Sequence, residues 1–231
     1  MTAQRLYGWP LALIAALFYT AGMGVVWLFA EHEYSETARL LQDVVVALGV
    51  LVLLTLALAR WSGLGIHRSN RLGWYGIVAL VPVALLLITF LLSARSGITD
   101  VGLVLTVLIG TALVGIGEET TFRGVVLNSL AERMSLPRAL VVSSVLFGFW
   151  HVLPALEFHE SSSTTDRLGN SWRAKVTTVG GQVLGTGLAG VGFCIVRLWS
   201  GSLLPSIALH ASLNALGFAL SWAFARRLRA L

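Results

Sequence analysis

A succession of apolar runs about twenty residues long constrains this chain more than any other feature. Between Trp9 and Ala30, and again between Leu72 and Ser93, there is no Asp, Glu, Lys, Arg or His. A helix needs about 20 apolar residues to cross the hydrocarbon core of a bilayer, because each unpaired backbone group there costs several kcal/mol. Runs of this kind cover 9–30, 42–60, 73–92, 101–120, 139–156, 176–198 and 202–223. Composition argues against a soluble alternative: 56% of the residues are apolar and 12% charged, about half the usual charged share. The expected fold class is all-α, a polytopic transmembrane helical bundle of seven to eight spans.

The runs differ in kind along the chain. Those up to about residue 95 are rich in Leu, Val and Ala, and 1–95 reads as a set of N-terminal scaffold spans. The later runs carry Glu118, Glu119, Arg123, His151, His210 and Asn214 within or beside apolar sequence, where charge is most costly, so chemistry is expected in 96–231. Arg5 precedes the first run as in a signal peptide, but the run is long, has no A-x-A site and is followed by others, so it reads as a retained helix. The acidic loop at 31–43 and the basic connection at 61–72 put the N-terminus in the cytoplasm by the positive-inside rule. With seven crossings the Lys and Arg residues divide seven to eight, which is no bias, and an eighth segment makes it ten to five.

Some classes are disfavoured. The net charge is +5, but 15 arginines and the single lysine, Lys175, are scattered between apolar runs as membrane anchors are, so no nucleic-acid partner is expected. Cys194 is the only cysteine, which excludes an intrachain disulfide and a cysteine metal cluster.

Three stretches carry chemistry. In GIGEETTFRGVVL, residues 115–127, Glu119 and Arg123 lie four apart on a helix and face each other, whereas Glu118 lies about 100 degrees round and is left freer. A carboxylate withdrawn from water and without a counter-ion is suited to taking a proton from a water molecule. The same charges would also suit the end of a span. In LFGFWHVLP, residues 146–154, His151 lies deep in an apolar run with Phe147 one turn earlier on the same face. In SLLPSIALHASLNALGF, residues 202–218, His210 and Asn214 share a face at i and i+4, which also fits helix-to-helix hydrogen bonding.

Depth links the three. If the helix holding Glu118 runs to about Arg133 and turns back near Pro137, Glu118 lies roughly 22 Å above the turn and His151 roughly 20 Å above it, at 1.5 Å per residue. A last span entering near Ser200 brings His210 and Asn214 to roughly 13 to 20 Å. A helix from 101 to 133 would be about 50 Å long, so a break, a tilt or a projecting end is expected near Gly115 or Gly117.

Glu-Glu-x-x-x-Arg at 118–123, Phe-x-x-x-His at 147–151 and His-x-x-x-Asn at 210–214, in this order and with the Gly-Ser-Leu-Leu-Pro lead-in at 201–205, resemble the CAAX prenyl endopeptidase and bacteriocin-processing family of intramembrane proteases. The resemblance covers about 100–222. It implies that Glu118 and His151 activate water and that His210 and Asn214 stabilise the oxyanion; Glu119 paired with Arg123 is then expected to fix the helix rather than do chemistry, with Phe147 also in a supporting place. It implies an endopeptidase with no cofactor, acting on a peptide or protein substrate at the bilayer, lipidated or not. The arginine-rich, lysine-poor composition goes with a GC-rich bacterial genome, and the expected location is a bacterial inner membrane. Two alternatives use the same side chains: a zinc protease with a His2Glu ligand set, although H-E-x-x-H is missing, and a transporter or membrane scaffold with buried polar contacts.

Overall fold

The computed structural model describes residue 65 and residues 81–91, 101–152, 155–156 and 171–229. The runs at 9–30 and 42–60, the first eight residues of 73–92 and most of the connections at 61–72 and 157–175 lie outside the described residues. So does the greater part of the expected N-terminal scaffold.

The described residues are helical, and the order follows from local signals. Helix α1, Val101–Glu119, passes without a break into a π-helical segment, Thr120–Val126, and on into α2, Leu127–Ala131. Helix α3, Leu136–Trp150, begins after extended Ser135 with Pro137 in its first turn, where a missing N–H costs nothing. Helix α4, Trp172–Ser200, is capped by the Ser171 hydroxyl, which accepts from Ala174 N–H at 3.2 Å. Helix α5, Leu204–Arg229, follows a tight turn in which Ser202 Oγ accepts from Leu204 N–H at 3.2 Å.

Helix α3 packs along α4 and α5 along α1, with the π segment touching both α3 and α4. The α3–α4 approach is close enough to require a missing side chain. A Cβ on Gly148 would lie 2.6 Å from the Val183 carbonyl oxygen, so only glycine lets the two backbones meet there. Behind the π segment, Leu127, Ala139 and Cys194 form a buried apolar cluster from α2, α3 and α4, flanked by Leu130, Met134, Leu140 and Leu198.

The expectation of a bundle of seven to eight spans is corrected. Among the described residues one helix, α4, is long and apolar enough to cross a membrane. An apolar run of 15 to 20 residues is also what a helix needs when protein surrounds it, and periodicity alone does not separate the two cases. Helix α3 covers most of the run at 139–156, but its 15 residues span about 22 Å, short of the roughly 30 Å hydrocarbon core. The run at 101–120 ends in buried polar residues, and the apolar part of α5, Leu204–Leu220, is likewise short. No break falls at Gly115 or Gly117, through which α1 runs continuously; the departure from α geometry is the π segment, which starts at Thr120.

Candidate active site

The π segment sets the geometry. Its wider turn shifts backbone bonding by one residue, so that Leu127 N–H reaches Phe122 O, and all seven residues from Thr120 to Val126 are buried. Side chains bond nearby carbonyls: Thr121 Oγ1 donates to Gly117 O at 2.8 Å and Asn128 Nδ2 to Gly124 O at 2.7 Å. From α3, Ser143 Oγ donates to Phe122 O at 3.1 Å, which ties the segment to its neighbour.

Glu118 and Glu119 are the last two residues of α1, and they meet different surroundings. Glu119 is fully buried and saturated. Its Oε1 accepts from Arg123 Nη1 at 3.0 Å and from His210 Nδ1 at 2.9 Å, while Ser206 Oγ donates to Oε2. Glu118 is also buried, yet its Oε2 has no hydrogen-bond partner. His210 Nε2 stands 3.6 Å from that oxygen and His151 Nε2 stands 3.9 Å from it.

The histidine tautomers follow from their other contacts. Helix α3 ends at Trp150 and is capped by His151, whose N–H turns to Gly148 O at 3.0 Å. That leaves Phe147 O for the imidazole Nδ1 at 2.9 Å. A carbonyl can only accept, so Nδ1 of His151 carries the hydrogen and neutral His151 presents a lone pair on Nε2. His210 Nδ1 meets an ionised carboxylate and is a donor for the same reason. The Nε2 atoms of both rings therefore face Glu118.

Three phenylalanines pack the group. The Arg123 guanidinium lies 4.2 Å from the Phe147 ring centroid and 5.1 Å from that of Phe193, inside the distance at which a desolvated cation is attracted to a π face. Phe147 also meets His151 edge-on at 4.8 Å, while Phe193 stacks on His210 at 4.7 Å with planes 10° apart. Phe122 meets Phe147 edge-on at 5.1 Å. From α4, Gly190 O accepts from Arg123 Nη2 at 3.0 Å. A Cβ there would stand 3.0 Å from Arg123 Nη2 and 3.1 Å from Phe147 Cδ1 and would push both aside by a few tenths of an ångström, so glycine gives the guanidinium its close approach to the backbone.

Residues 100–216, just over half of the chain, match the family described as Type II CAAX prenyl endopeptidase Rce1-like. The chain belongs to this family. No curated protein and no solved structure matches it.

The three sequence motifs at 118–123, 147–151 and 210–214 lie within the matched range, and most of their side chains fall in the cluster just described. In this Rce1-like chain Glu118, Glu119, Arg123, Phe147, His151 and His210 come together from α1, the π segment, α3 and α5. Asn214 lies one turn beyond His210 on α5, half-buried, and among the described residues it has no hydrogen bond to Glu118, His151 or His210. Among the described residues no group of three or more His, Cys, Asp or Glu side chains is arranged to hold a metal ion. Family and apolar helix α4 together indicate that the protein is membrane-associated.

Sequence reasoning missed Ser206, Phe193 and Gly190. Ser206 was within reach of it, since 206, 210 and 214 are spaced by four and share one helix face. Phe193 and Gly190 sit in a glycine-rich apolar stretch with nothing in its spacing to single them out.

Proposed function

We propose that this chain is an intramembrane glutamic-type endopeptidase that hydrolyses a peptide bond of a membrane-associated substrate, using a water molecule activated by Glu118 and no metal. One observation carries this reading: a buried carboxylate oxygen without a partner, faced by two imidazole Nε2 atoms whose Nδ1 atoms are already engaged. Separations of 3.6 and 3.9 Å are too long for direct hydrogen bonds, so each Nε2 is left open to a water or a substrate carbonyl admitted beside Glu118.

Glu118 takes a proton from the water as its oxygen attacks the carbonyl carbon, with His151 Nε2 accepting the water's other hydrogen bond. The carbonyl oxygen becomes negative and needs donors. With Nδ1–H given to Glu119, a hydrogen on Nε2 makes His210 a cation, and the carboxylate at Nδ1 is the counter-charge such a cation requires. The Asn214 amide, on the same helix face, supplies the second donor. Breaking the C–N bond returns the proton from Glu118 to the leaving amine. The substrate is a peptide or protein at the bilayer, with or without an attached lipid, and the working location is a bacterial inner membrane.

The test compares membrane peptides by mass spectrometry from cells carrying the wild type or Glu118→Ala. One set of termini should vanish in the variant and also in His151→Ala. Peptides unchanged in both variants would sink the protease reading and favour a transporter or scaffold. The purified protein should keep cleaving in the presence of a chelator. Loss on chelation with return on adding Zn2+ would replace the metal-free mechanism by a zinc one.

A further inference from the structure

Serine and threonine hydroxyls in apolar helices commonly fold back onto the carbonyl four residues earlier. Thr89, Thr177, Thr186 and Ser212 do so here, Ser212 reaching Ala208 O at 2.7 Å. Ser206 does not. Fully buried on α5, it donates across the helix interface to Glu119 Oε2, and its other neighbour is Phe193 O at 3.4 Å. One turn later on the same face His210 reaches the other oxygen of the same carboxylate. The Glu119 carboxylate is thus gripped at both oxygens by residues one helical turn apart, with Arg123 on the His210 side.

A terminal carboxylate torsion is soft, so one filled oxygen does not fix its plane. A donor on Oε2 does. On the basis of the proposed function, we infer that Ser206 is a positioning residue: through Glu119 it fixes the tilt and tautomer of His210, so that Nε2 points at Glu118. The groups around the His210 ring are Glu118 and Glu119 from α1, Arg123 from the π segment, His151 and Phe147 from α3 and Phe193 from α4. None of the others fills Oε2.

The test reads the His210 imidazole directly. In 15N-histidine-labelled protein, the Nδ1–H held by Glu119 should give a far-downfield proton resonance, assigned by its loss in His210→Gln. Ser206→Ala should lose this resonance and lower kcat about tenfold with KM within about twofold, as for a lost hydrogen bond to a charged group. Ser206→Thr, which restores the hydroxyl, should recover both. Ser212→Ala, which removes an equally buried hydroxyl from the same helix, should change neither. Ser206→Cys keeps a weak donor and should fall in between, which decides the matter if Ser206→Ala is not recovered folded. A wild-type resonance retained in Ser206→Ala or unaltered in Ser206→Cys overturns the inference, as does its loss in Ser212→Ala. The spectrum needs no substrate, so absence of peptide cleavage would sink the proposed function while the resonance still decided the role of Ser206.

Discussion

Glu118 and Glu119 are neighbours in the chain and opposites in their surroundings. Glu119 has a donor on each oxygen, one of them a fully buried arginine, and every contact it makes holds α1, the π segment and α5 in place. Glu118 has a buried oxygen that nothing satisfies. A buried polar group is ordinarily paired because leaving it unpaired costs roughly 1–3 kcal/mol. The saturated carboxylate pins the helices, and the unsatisfied one is held ready by them.

The contrast can be broken or sharpened by substitution. Glu118→Gln should lower kcat by roughly 100- to 10,000-fold, the usual worth of a positioned base, without lowering the thermal midpoint, since no hydrogen bond at Oε2 is lost. Arg123→Met should do the reverse. Removing one partner of a buried ion pair costs about 3–5 kcal/mol, read as a fall in unfolding free energy in detergent, with activity lost as the fold is lost. A destabilised Glu118→Gln beside an unaffected Arg123→Met would exchange the two roles.

Asn214→Ala tests a residue that belongs to neither carboxylate. Its kcat should fall about 100-fold with an unchanged thermal midpoint if the amide serves the oxyanion. Unchanged kcat would leave that task to His210 alone. The smallest effect is expected at Phe193, whose ring stacks on His210. Phe193→Leu should lower kcat by roughly two- to tenfold, the worth of an aromatic pair beyond its buried area. No change would show that Glu119 and Ser206 orient the imidazole without the stack.

Much of this contrast was legible in the spacing. The four-residue interval predicts the Glu119–Arg123 pair, and the 100 degrees between neighbours leaves Glu118 apart, as observed. A rise of 1.5 Å per residue brings Glu118 and His151 to one level, and their side chains approach to 3.9 Å. What failed was the inference from apolar length to span number, because burial against protein and exposure to lipid ask for the same side chains. The π segment was legible only as a length that did not fit, since the shift to i→i+5 bonding depends on what Ser143 and α3 offer from a distance. Ser206 was missed because a serine beside a proline in an apolar helix reads as small rather than polar. Only the structure shows its hydroxyl turned outward from its own helix.

The π segment carries one residue more than the α-turns around it. Deleting a single codon between Thr120 and Phe122 would therefore leave a continuous, ordinary helix with everything beyond the segment in its old register, yet bring the arginine three residues from Glu119 instead of four, about 60 degrees round from it. Such a protein would keep its length of rod and most of its hydropathy while turning the guanidinium away from its carboxylate. In this stretch the number of residues, as much as their identity, sets which side chains face one another.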